Sequence, residues 1–153
     1  MGTVVLENGH SEATRLATFL GLPKAKRMSD LTLVERVEKG FPPNTADIIV
    51  RRVDPKGQFL QVYHIIPKST YHRRLKKMQV LTKDESEKIL ALARVFVEVL
   101  RQYHDDSQLA AQFLLREHAM LGGRTPLGVA KDSTAGADLV LKLLARAEAG
   151  IAA

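Results

Sequence analysis

The stretch Ile65–Met78 reads IIPKSTYHRRLKKM, a helix entry followed by a strongly basic helix, and the rest of the chain is placed around it. Pro67 and Ser69 supply the entry: proline is tolerated in a first turn, and serine is a preferred N-cap whose hydroxyl takes an otherwise unbonded backbone N–H. At 100° per residue, Tyr71, Leu75 and Met78 fall on one stripe that is expected to face a core. Ser69, Thr70, Arg73, Lys76 and Lys77 fall on the opposite face, with Lys68 at its start. Hydroxyl, guanidinium and ammonium groups on one side of a helix suit the DNA major groove, where Arg and Lys meet phosphates and guanine edges. A charged face of this kind is often no more than solvated surface, so its setting decides.

The distribution of charge favours the DNA reading. The whole chain of 153 residues carries a net +6, yet the segment from Arg51 to Gln79 alone holds eight Lys and Arg side chains against the single carboxylate of Asp54. All the excess positive charge therefore sits around the basic helix, as on a polyanion-binding surface. The 45% hydrophobic and 26% charged content is that of a globular domain able to build a core. No apolar run approaches the roughly 20 residues of a membrane span, and no signal-like segment opens the chain. With no cysteine, disulfides and thiolate metal sites are excluded. A cytoplasmic protein without membrane contact is expected.

Upstream, a TVVL run at residues 3–6 is a possible strand, and Ser11 caps a helix with Ala13, Leu16, Ala17 and Leu20 on one face. Gly21 and Pro23 end it. The segment PKAKRMS, Pro23 to Ser29, reads as a linker, so residues 1–28 form an N-terminal segment with one amphipathic helix. Thr32 and Glu35 have capping-box spacing ahead of Leu33, Val34 and Val37, and Gly40 stops that helix. Pro42 and Pro43 open the next, with Ala46, Ile49, Val50 and Val53 as its stripe. After the turn at Asp54–Gly57, Phe59, Leu60 and Tyr63 predict a helix of about two turns. A short helix, a tight turn and a basic helix is helix-turn-helix order.

Downstream, Thr82 and Glu85 form a second capping box that opens the longest periodic stretch: Ile89, Leu92, Ala93, Phe96, Val99, Leu100 and Tyr103. This helix of about 20 residues is the expected central scaffold, and residues 29–104 make the helix-turn-helix domain. Ser107 is expected to cap a helix carrying Ala110, Phe113 and Leu114. LGGRTPLG at Leu121–Gly128 then turns into a short helix, and Ala137, Val140, Leu141, Leu144 and Ala147 share a face of the last one. The reading is all-α: a helix-turn-helix domain followed by a small helical module over residues 105–153.

Chemistry finds little support. His10, His64, His72, His104 and His118 lack the spacing of converging metal ligands. Gly122 and Gly123 precede Arg124 without the Lys and Ser or Thr that complete a phosphate loop. No serine stands in a nucleophile-elbow context. No enzyme activity, cofactor or metal is expected.

The C-terminal third carries a resemblance. Ala110, Phe113 and Leu114, then LGGRTPLG, then Thr134, Gly136, Val140, Leu143, Leu144, Arg146 and Gly150 resemble, in order and spacing, the Xre/MbcA/ParS toxin-binding domain. IPKSTYHRR followed by LTKDESEKILALARVF is similar to the helix-turn-helix region of the same family, so the likeness spans about three quarters of the chain. Two positions depart from the usual pattern: Phe113 stands where tryptophan is common, and Ala147 and Ala149 replace larger residues. The resemblance implies the antitoxin of a type II toxin-antitoxin pair. Its partner would be a RES-domain toxin that either degrades NAD or transfers its ADP-ribose. The antitoxin would block the toxin's active site with its C-terminal module and repress its own operon as a dimer or within a larger complex with the toxin. On that basis Lys68, Ser69, Thr70, Arg73, Lys76 and Lys77 are expected to meet operator DNA. Arg124, Lys131, Arg146 and the tail Gly150, Ile151, Ala152 and Ala153 are expected to meet the toxin. Without a toxin, the same architecture would be a stand-alone dimeric transcriptional regulator.

Overall fold

The structure is a computed structural model that describes residues 11–150; the TVVL run, His10 and the tail residues Ile151, Ala152 and Ala153 lie outside the described residues. Eight α-helices follow one another: α1 Glu12–Phe19, α2 Asp30–Lys39, α3 Asn44–Val53, α4 Lys68–Lys76, α5 Lys83–Gln102, α6 Ser107–Leu115, α7 Pro126–Asp132 and α8 Thr134–Glu148. Single 3-10 turns lie at Ala25–Arg27, Val62–His64 and Ala119–Leu121, and the one β contact among the described residues is the bridge between His118 and Arg124.

Helix α5 is the axis. Its apolar side chains run along more than one face, with Ile89, Ala91, Leu92, Ala93, Val95, Phe96 and Val99 all buried. A helix buried on so broad a front is a core element rather than a surface one. Helices α1, α2, α3, α6, α7 and α8 all pack against it. Its start is fixed by the expected capping box: the Thr82 hydroxyl accepts from the Glu85 N–H, and the Glu85 carboxylate accepts from the Thr82 N–H at 2.8 Å. One turn later, the buried Ser86 hydroxyl accepts the Phe41 N–H at 2.9 Å, which ties the α2–α3 connection to the scaffold.

The N-terminal helix shares this core. Ala13, Leu16, Ala17, Phe19 and Leu20 are buried, and Ser11 caps α1 as expected. The PKAKRMS segment folds into a single turn whose Met28 is buried and whose Met28 carbonyl accepts the Thr14 hydroxyl at 3.2 Å. Helix α3 supplies Ala46, Ile49, Val50 and Val53 to the same interior.

Several boundaries differ from the sequence reading. Helix α2 begins earlier than Thr32, because Ser29 is its cap and accepts the Thr32 N–H, and Val34 is exposed while Leu33 and Val37 are buried. Helix α6 is capped by Asp106 rather than Ser107. In α8 the buried set is Ala137, Val140, Leu143 and Leu144; Ala147 is exposed. The two-turn helix expected around Phe59 does not form. Buried Asp54 instead accepts the N–H groups of both Phe59 and Leu60, holding that backbone in a loop of turns and bends and leaving only the 3-10 turn at Val62–His64. A carboxylate that takes two backbone donors outcompetes a helix for them.

Candidate functional site

Helix α4 starts differently from expectation. Pro67, with an extended φ/ψ of −57°/138°, precedes it without any side-chain cap, and Ser69 is its second residue rather than its cap. The Ser69 hydroxyl is thereby left exposed on the helix surface. The expected apolar stripe also reduces to one residue. Tyr71 is buried, but Leu75 is 41% exposed and Met78 is 92% exposed beyond the helix end. Burial pushes the Tyr71 hydroxyl above its ordinary range, with Asp47 and Tyr63 adding to the effect, so this group stays protonated and able to donate. The second attachment is polar: Arg74 reaches Glu85, the capping residue of α5, at 3.0 Å with both side chains largely covered. Basic Arg74 is therefore a brace, and the outward face belongs to the other cations.

That face is broad. Lys68, Ser69, His72, Arg73, Lys76 and Lys77 are exposed, and Thr70 lies half-buried at the rim. Among the described residues Arg73, Lys76 and Lys77 have no ion-pair partner, whereas Arg51, Arg74, Lys88, Arg94 and Arg124 each have one and Arg101 has two. A cation left without an internal partner keeps its full attraction for an external anion. Two contributors escaped the sequence reading. His72 lies four residues from both Lys68 and Lys76, a row that the 100° wheel already contains. Tyr63, assigned to a helix core, is 42% exposed. Its hydroxyl is 2.9 Å from His72 Nε2 and its ring lies 5.6 Å under the Lys68 ammonium.

The second candidate surface is built on the turn between α6 and α7. Gly122 and Gly123 adopt φ of 66° and 81°, and the chain doubles back so that the His118 N–H donates to the Arg124 carbonyl at 3.0 Å. Thr125 then caps α7 and Pro126 occupies its first position, a favourable place for a residue without an N–H. The Arg124 guanidinium meets Asp132 at 2.6 Å, so it clips the turn to the far end of α7. Helix α8 crosses α7 so closely that a Cβ on Gly136 would stand 2.0 Å from the Val129 carbonyl oxygen. The three cations expected here do not converge. Lys131 is exposed at the end of α7. Arg146 lies exposed in the last turn of α8, roughly 18 Å along the axis from the start of that helix at 1.5 Å per residue. Gly150, with φ of 73°, follows the end of α8. Met120 at 51% and Leu139 at 46% exposure add apolar area that the sequence reading did not assign.

Among the described residues no cluster of three or more His, Asp or Glu side chains offers a metal site, and no helix is long and apolar enough to cross a membrane. Comparison with protein families finds two matches. Residues 32–94 match the antitoxin Xre-like helix-turn-helix domain, and residues 99–150 match the antitoxin Xre/MbcA/ParS C-terminal toxin-binding domain. Together they cover three quarters of the chain, and they meet within α5. No curated protein matches the chain.

Proposed function

We propose that this chain, an antitoxin with an Xre-like helix-turn-helix domain followed by an Xre/MbcA/ParS toxin-binding domain, neutralises a RES-domain, NAD-consuming toxin and represses its own operon. The observation that carries this reading is the pairing of the two domains on one helix: α5 begins in the residues matched as DNA-binding and ends in those matched as toxin-binding. DNA recognition falls to the unpaired face of α4, with Lys68, Ser69, Thr70, Arg73, Lys76 and Lys77 as contacts. As a cytoplasmic dimer the protein presents two such helices to neighbouring half-sites about one turn of DNA apart. The C-terminal module covers the toxin's NAD pocket. Arg124, Lys131, Arg146 and the tail from Gly150 to Ala153 are the proposed contacts, with Met120 and Leu139 as apolar ones. The antitoxin itself performs no chemistry.

Co-expression with the protein encoded by the adjacent gene tests the proposal. The pair should co-purify, and cells should grow where the adjacent protein alone stops growth. Arg73→Ala with Lys77→Ala should weaken operator binding and leave neutralisation intact. Arg124→Glu, or deletion of Gly150–Ala153, should release the toxin and leave operator binding intact. If the C-terminal variants protect cells as well as the parent does, the blocking surface lies elsewhere.

A further inference from the structure

An open cleft of about 480 Å³ lies between the C-terminal end of α3 and the 3-10 turn at Val62–His64, with Arg51, Lys56, Gln61 and Tyr63 at its walls and Tyr71 of α4 lining it from behind. Each of its two carboxylates has one oxygen engaged. Asp54 is buried, and its Oδ2 takes both the Phe59 and the Leu60 N–H groups, while Asp47 Oδ2 receives the Arg51 Nε at 2.8 Å. That bond uses one of the five N–H donors of the guanidinium. The terminal amino groups of Arg51 have no acceptor among the described residues, its side chain is 71% exposed, and Lys56 is exposed with no ion pair. The mouth therefore keeps free guanidinium and ammonium donors.

The position of the cleft matters as much as its charge. Tyr63 links it to α4, since the phenol contacts His72 and Lys68, both on the exposed face. The cleft thus flanks the α4 surface along its Lys68–His72 edge. In helix-turn-helix proteins the element before the reading helix lies across the DNA backbone, and Arg, Lys and Tyr side chains there bond phosphates rather than bases.

We propose that this cleft seats a phosphate of the DNA strand bordering the groove that α4 enters, with the Arg51 guanidinium, the Lys56 ammonium and the Tyr63 hydroxyl as its donors. The proposal rests on the reading of α4 as the DNA-contacting helix. For Tyr63 to donate to phosphate, His72 must carry its proton on Nε2 and donate to the phenol oxygen, which makes His72 a positioning residue for Tyr63. The contact carries no sequence information, so it fixes the register of the protein on the duplex without choosing the site.

The test uses the full chain and two duplexes of equal length, one from upstream of its own gene and one unrelated, titrated across a range of salt. Arg51→Ala with Lys56→Ala should lower affinity for both duplexes by the same factor and flatten the slope of log K against log salt by about 1, the share of one neutralised phosphate. Tyr63→Phe should weaken both several-fold with an unchanged slope, because it removes a donor and no charge. Should loss of Arg51 disturb the fold by freeing Asp47, Lys56→Ala alone must still flatten the slope. An unchanged slope in the Arg51 and Lys56 variants, when Arg73→Ala with Lys77→Ala does flatten it, overturns the cleft and spares the α4 reading. An unchanged slope in both pairs overturns the α4 reading and the cleft with it. Equal binding of inorganic phosphate by the parent and the Arg51 and Lys56 double variant, with no effect of that variant on DNA, also counts against it.

Discussion

Helix α4 and the α7–α8 pair are both attached to α5, but by opposite means. Helix α4 buries only Tyr71 of its nine residues and adds the Arg74–Glu85 ion pair. Helix α8 buries Ala137, Val140, Leu143 and Leu144, and its Gly136 lets two backbones touch. The first arrangement leaves nearly the whole circumference of a short helix free for donors. The second spends its sequence on packing and exposes function only at turns and ends. A reading surface needs side chains that are available; a rigid docking module needs a backbone that cannot shift.

The contrast breaks most severely at Gly136. In Gly136→Ala the new Cβ would meet the Val129 carbonyl oxygen at 2.0 Å, and that oxygen is backbone that no rotamer change can move aside. Overpacking of a tight contact costs about 3 kcal/mol, and Tm should fall by ~10 °C in thermal denaturation. Gly122→Ala is the comparison: nothing lies within 4 Å of its Cβ, and only the left-handed φ of 66° opposes it, at about 1 kcal/mol. Equal losses at the two positions would show that the α7–α8 approach is not the constraint. Gly136→Ala should also impair toxin neutralisation before it impairs DNA binding.

The basic half breaks at its brace. Arg74→Ala removes the ion pair to Glu85 and uncovers the join between α4 and α5. Glu85 keeps the Thr82 N–H as a donor, and the Arg74 Nε has no partner to lose. The loss should therefore be about 1.5–3 kcal/mol, the range for a hydrogen bond to a charged group, rather than that of a fully buried pair. Operator affinity should fall by more than loss of one exposed cation predicts, because α4 loses its orientation. Amide exchange within α4 would report it: faster exchange there, with α8 unchanged, is the expected pattern. Ser86→Ala acts at the same end by leaving the buried Phe41 N–H without an acceptor, a cost of about 1–3 kcal/mol.

What the sequence made legible follows the same division. Helix α5, its capping box and the stripe of α3 follow from local periodicity and from hydroxyls at fixed spacing, and the structure has them in place. The Leu121–Gly128 turn likewise announces itself through glycines and a proline. The region before α4 was not legible, because its backbone is decided by Asp54, a residue five and six positions away from the amides it binds. Nothing in the spacing of Phe59, Leu60 and Tyr63 reveals that competition. Leu75 and Met78 misled for a related reason: apolar spacing assigns a face, but only the tertiary partner decides whether anything covers it. The role of Arg74 was hidden among its neighbours, since four cations in RRLKK look alike until Glu85 selects one.

The smallest effect sits at the end of α4 and sharpens the comparison most directly. Met78 has φ of 53°, a left-handed conformation at the position following the cap. Its N–H donates to the Leu75 carbonyl at 3.2 Å, and the Gln79 N–H donates to the Arg74 carbonyl at 2.9 Å. This pair of bonds is the Schellman arrangement, in which glycine is preferred because a Cβ is penalised there. Since the Met78 side chain is 92% exposed, truncating it forfeits almost no burial, and the backbone term decides the sign. Met78→Gly should stabilise the protein by about 1 kcal/mol, less the fraction that glycine's extra freedom returns to the unfolded chain. It should slow amide exchange at the last turn of α4 while DNA affinity stays the same. A loss of stability would mean that Met78 has a hydrophobic partner, and a loss of operator affinity without a loss of stability would place that partner on the DNA.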